Sequence, residues 1–171
     1  MPSHAQAEAP APASAEFAAA IPVCSESLRT GENPPLAAGW KSASHMSGTP
    51  YGMARMRERD MEGMLEAMAF TRETFVLAEQ NLTLTQYYKS GEYIACGISG
   101  TVAVADQPAV AGSLASGLET KSRTGRRVAE LQRQYELTAN SPAYRLDSHT
   151  VLIEQGSGET IDLFSIIVIK D

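Results

Sequence analysis

The chain has 171 residues, of which 43 % are hydrophobic and 20 % charged, with a formal net charge of −6. That is the length and composition of one folded domain, and it excludes a chain disordered throughout. The negative balance argues against a general affinity for nucleic acid or anionic membrane, both of which need positive surface. No run approaches the roughly 18 consecutive apolar residues that a membrane-spanning helix requires.

In chain order, residues 1–15 read MPSHAQAEAPAPASA. They hold almost no large apolar side chain and cannot bury enough surface to offset their ordering entropy, so a disordered Ala/Pro-rich arm is expected there, followed by a single domain over 16–171. The small residues of SHAQA before EAPAP have the look of a secretory signal's cleavage end, although the charged start and apolar run of a signal are absent from the sequence. The export reading expects the native gene to extend upstream into such a run. A plain Ala/Pro linker is the other reading.

SAEFAAAIPV predicts a short helix capped by Ser14 and ended by Pro22. SESLRTGENPP is a loop by composition. The only cysteines, Cys24 and Cys96, are far apart and outside any C-x-x-C motif. They suit one disulfide in an oxidising compartment, which places the protein in a periplasmic or secreted setting. Trp40, the only tryptophan, is either a core anchor or part of a binding contact.

From Met64 the pattern turns to short strands. MLEAMAF, TRET and FVLAE read as strand, turn, strand. NLTLTQYYK alternates between faces, SGE is a turn, and YIACGI and TVAVA follow as further strands. Asn81 heads an N-L-T glycosylation sequon whose predicted place inside a strand argues against use. DQPAVAGSLASGLETKS is a loop with at most one helical turn. GRRVAELQRQYEL is the strongest helix, with Val128, Leu131 and Tyr135 on one stripe. AYRL and TVLIEQ then form a hairpin with His149 in its turn. TIDLFSIIVIK is a strand that needs cover on both faces. The total is eight to ten short strands with one packed helix near 124–137: mainly β, as a small antiparallel barrel or a strongly curved sheet.

The helix followed by YRLDSHTVLIEQGSGETIDLF resembles the closing helix–strand–strand of META-type domains and, more loosely, lipocalin-like barrels. The resemblance spans roughly the last 45 residues and implies a β-barrel-like fold and an envelope location. The central Asn–Gly–Tyr turn and Met–Ala–Cys segment of META domains are not found; YYKSGEYIAC is the nearest text. No functional residue carries over.

Candidate chemistry is sparse. Met53, Met56, Met61, Met64 and Met68 fall within MARMRERDMEGMLEAM. Paired M-x-x-M sulfurs suit Cu(I), with His45 and Met46 near in sequence, but Met61, Met64, Leu65 and Met68 also make a packing stripe. The expected layout is loop or short helix over 53–62 and strand over 64–70, with the sulfurs in a core and no metal site. His4, His45 and His149 lack zinc-ligand spacing. No nucleophile elbow, P-loop or dinucleotide fingerprint is present, and no cofactor is implied. Lys121, Arg123, Arg126, Arg127 and Arg133 cluster around a helix start, so Arg123, Arg126 and Arg127 are candidates for an anion contact beside free backbone N–H groups. Tyr87, Tyr88 and Tyr93 surround one turn and, with Trp40, are candidates for ligand or partner contact. The function read from these features is an exported binding module for a protein partner, an envelope component or a small apolar ligand. The alternatives are an enzyme whose active site is not visible in the sequence, and Cu(I) handling through the methionines.

Overall fold

The computed structural model describes residues 12–43, 69–77, 81–135, 142–156 and 161–170. His4, His45 and the methionine-rich stretch lie outside the described residues, so the expectations placed on them stay where the sequence left them. The described part is one eight-stranded antiparallel sheet: β1 Lys41–Ser42, β2 Phe70–Leu77, β3 Leu82–Lys89, β4 Glu92–Thr101, β5 Glu119–Thr120, β6 Ala143–Leu146, β7 His149–Glu154 and β8 Leu163–Lys170. Its spatial order is β1-β2-β3-β4-β8-β7-β6-β5. The sheet is open, with β1 and β5 at its edges, so the curved-sheet form applies and the closed barrel does not.

Three α-helices pack on the sheet among the described residues: α1 Pro12–Thr30, α2 Gln107–Ala115 and α3 Arg126–Tyr135. Each half of the chain runs from a helix into a four-stranded meander, with α3 inserted between β5 and β6. The halves join where β4 pairs β8, Cys96 opposite Val168 and Ile98 opposite Ile166.

Strand periodicity sends alternate side chains to opposite faces, and both faces of the central strands are covered. On the first face, Cys96, Ile98, Phe164, Ile166 and Val168 pack with Phe17, Ile21 and Leu28 of α1 and with Val110 and Leu114 of α2. On the second, Ala95, Leu152, Ile167 and Ile169 pack with Val128 and Leu131 of α3. This explains why β8 reads as an unbroken apolar run. The β3–β4 hairpin turns through Ser90 and Gly91, whose φ values of 51° and 85° suit a tight two-residue connection.

Several local expectations are corrected. α1 does not end at Pro22 but continues to Thr30, absorbing much of the expected loop. It also begins at Pro12, so residues 12–15, read as the end of the arm, are helical. The stripe Phe17, Ile21, Cys24, Leu28 is buried, and tertiary packing of that stripe outweighs the one lost backbone hydrogen bond. TRET is not a turn: Thr71–Thr74 lie inside β2, paired with Thr85–Tyr88 of β3. TVAVA is not a strand, because β4 stops at Thr101 and Val104–Asp106 form a 3₁₀ turn. The stretch read as a loop with one weak turn contains the nine-residue α2. His149 is the first residue of β7 and is buried, not in the hairpin turn. Asn81 is an exposed turn residue with φ 53°, not a strand interior.

Candidate functional site

Among the described residues, the first face of the sheet carries a groove, and α1 frames it. Cys24 and Cys96 form a disulfide with a Cα–Cα distance of 5.5 Å and no exposed surface, tying the middle of α1 to central strand β4. Nearer the helix start, Phe17 meets Phe164 edge-on at 5.0 Å. Gly100 permits this approach: a Cβ there would lie 3.1 Å from both Phe17 Cζ and Leu82 Cδ2.

The end of α1 is held by a buried polar network. Gln86 Nε2 donates to Ser27 Oγ and to Asn33 Oδ1, both at 3.2 Å. Tyr88 OH donates to Gln86 Oε1 at 3.0 Å, and Ser27 Oγ and Tyr93 OH share a hydrogen bond at 2.9 Å. Burial pushes the Tyr93 phenol well above the ordinary tyrosine range, against the opposing effect of its Ser27 hydrogen bond. The network stays neutral at physiological pH and leaves Gln86, wholly buried, satisfied on both sides of its amide.

Between α1 and α2 runs a groove of about 410 Å³. One wall is Ser14, Ala15, Ala18, Ile21 and Pro22; the other is Ser113, Leu114, Gly117 and Leu118. On α1 these positions fall at i, i+1, i+4, i+7 and i+8, a single helical stripe. Pro22 has no N–H to give the Ala18 carbonyl, so that acceptor is left outside the helical ladder beside the groove. No lining residue is titratable. The groove can bury an apolar group and offer hydroxyl or carbonyl contacts, and it holds no side chain for acid–base or metal chemistry.

The residues singled out from the sequence fall elsewhere. Trp40 is 2 % exposed and belongs to the first-face core. The three tyrosines do not converge. Tyr88 and Tyr93 stack on the first face with ring centroids 5.1 Å apart. Tyr87 packs on the second face against Tyr135 of α3 at 4.9 Å. Burial also raises the Tyr87 and Tyr135 phenols. Arg72 lies over the Tyr135 ring at 5.7 Å. Of the basic group, Lys121 Nζ donates to Thr150 Oγ1 at 2.7 Å, and Arg127 lies 3.7 Å from Glu92. Arg123 and Arg126 are exposed at the start of α3. Lys89 forms an ion pair with Glu130, whose carboxyl it holds below the usual range. Among the described residues, no three His, Cys, Asp or Glu side chains are grouped to hold a metal ion. No described helix is long and apolar enough to cross a membrane.

Sequence reasoning missed the groove. Its first wall lies on the helix expected from SAEFAAAIPV, but its second lies in a segment read as a loop. Comparison with family models, with curated proteins and with solved structures finds no match.

Proposed function

We propose that this chain is an exported binding module whose groove between α1 and α2 takes an apolar segment of a protein partner or a small apolar ligand. The observation that carries this reading is the groove itself, uncharged along both walls and backed by a helix cross-linked to the sheet. A preformed concave surface of that kind binds without first being ordered. The Cys24–Cys96 disulfide supports the export half of the reading, since such bonds persist in oxidising compartments. A periplasmic or secreted location follows from that half.

The binding half is tested with Nile red, an uncharged apolar dye. Wild-type protein should enhance its fluorescence saturably. Ala18→Phe and Gly117→Phe fill the groove and should weaken dye affinity about tenfold or more, while Leu36→Phe, remote from it, should not. Position 117 has room for the change, since a Cβ there meets only the Leu114 carbonyl at 3.8 Å. Equal dye binding by all four proteins removes the groove as the site. Fractionation of the native host with N-terminal sequencing of the mature protein tests the location.

A further inference from the structure

The exposed large apolar side chains are not scattered. Among the described residues they are Leu36, Val104, Ile161 and Leu163. The last three sit at one end of the sheet, where β4 finishes and β8 begins. Thr101 is paired with Leu163, and Val102 N donates to Asp162 O at 2.8 Å. Val104, Ile161 and Leu163 are 45 %, 47 % and 42 % exposed.

This end is rigidly built around Gln107, which is 1 % exposed. Its Nε2 donates to Val102 O at 3.0 Å and to Ile161 O at 2.8 Å, and its Oε1 accepts from Gly156 N at 2.9 Å. One buried amide therefore fixes three backbone segments and presents the apolar side chains without an ordering cost at binding. None of the groove-lining residues belongs to this surface.

Among the described residues, the charge directly beside it is acidic. Asp106 and Asp162 are exposed beside the patch. The sequence holds no Lys or Arg between Lys89 and Lys121, nor between Arg145 and Lys170. On the described strands Lys41 lies on edge strand β1, and the other basic side chains lie toward the opposite end. Arg72 and Arg145 share one row across the sheet through Tyr87, Ala95, Ile169 and Thr150, with Lys89 and Lys170 just beyond it. An acid-rimmed apolar patch repels anionic membrane and nucleic acid and attracts a cationic surface that carries apolar side chains.

The geometry points to a docking surface at Val104, Ile161 and Leu163 for a partner protein segment that presents large apolar side chains flanked by Lys or Arg. Asp106 and Asp162 steer the encounter, and the apolar trio supplies the contact. Three fluorescently labelled peptides test this on the intact, disulfide-bonded protein: an amphipathic leucine–lysine peptide, its leucine–glutamate counterpart and a serine–lysine peptide. Anisotropy titrations should show the leucine–lysine peptide binding about tenfold tighter than either other. Ile161→Ser with Leu163→Ser should remove that advantage, and Asp106→Asn with Asp162→Asn should flatten its salt dependence. Leu36→Ser and Asp147→Asn, remote changes of the same kinds, should alter neither. Amide shifts in the wild type should move at residues 101–107 and 161–165. The proposal fails if the leucine–glutamate peptide binds equally well, or if the remote variants weaken binding as much as the patch variants. It also fails if sedimentation shows self-association that Leu163→Ser abolishes, because the occupant is then a second copy of this chain.

Discussion

Removing the Cys24–Cys96 cross-link should cost a large share of a typical domain's margin of stability. The two cysteines are 72 positions apart, and closing a loop of that length in the unfolded chain is worth about 4 kcal/mol on the chain-entropy account. For a chain of this size that corresponds to a fall in Tm of about 8–16 °C. The assay is urea unfolding followed through Trp40, the only tryptophan and 2 % exposed, whose emission should shift red on unfolding. Two perturbations separate the contributions. Reduced wild-type protein loses the cross-link but keeps the sulfur volume, whereas the Cys24→Ala/Cys96→Ala variant loses both and should be less stable still. Because both cysteines are wholly buried, reductant should act only as fast as the protein opens. A loss below about 1 kcal/mol in reduced wild type would refute the reasoning, since the cross-link would then not be restraining the unfolded chain.

Gly100→Val should destabilise by about 1–3 kcal/mol by forcing Phe17 and Leu82 apart, read as a lower urea midpoint. Gln107→Leu should cost about 2–3 kcal/mol, because Val102 O, Ile161 O and Gly156 N lose their shared partner. Tyr135→Ala, which removes the ring between Phe70, Tyr87 and Arg72, should cost about 3 kcal/mol and lower the melting temperature measured by calorimetry. The Lys89–Glu130 pair should leave a mark in acid. The Glu130 carboxyl is held below its ordinary value of 4.5, so its contribution is complete above that pH and is lost as pH falls through the lower folded value. Glu130→Gln should therefore lower stability at neutral pH and reduce the loss between neutral and acid, measured as urea midpoints across that range.

Much of the framework was legible because it depends on local pattern. The stripe Val128, Leu131, Tyr135 marks α3, and the β-branched run of β8 demands a central strand. Two lone cysteines without a metal or redox motif leave a disulfide as a natural reading. What escaped depends on distant partners. Pro22 is a sound stop signal for an isolated helix, yet Phe17, Ile21, Cys24 and Leu28 repeat at helical spacing straight through it. TRET is polar enough to read as a turn, but the eight-residue pairing of β2 with β3 carries it as strand. Tyr87, Tyr88 and Tyr93 surround one turn, and strand alternation with the register shift beside Tyr87 and Tyr88 sends them to different faces. Both the groove and the Gln107 hub unite segments that no short window of sequence brings together.

The position of β8 also constrains how the molecule can be made. Synthesised after every other strand described, it lies in the middle of the sheet, between β4 and β7. Until it arrives, ten-residue β4 presents a bare edge flanked by apolar faces, and the two meanders have no seam between them. Pairing Ala95 with Ile169 joins residues far apart along the chain, which slows folding. A polypeptide that cannot seal its interior until this late segment emerges stays extended and sticky during synthesis. That delay makes it depend on whatever holds nascent chains apart.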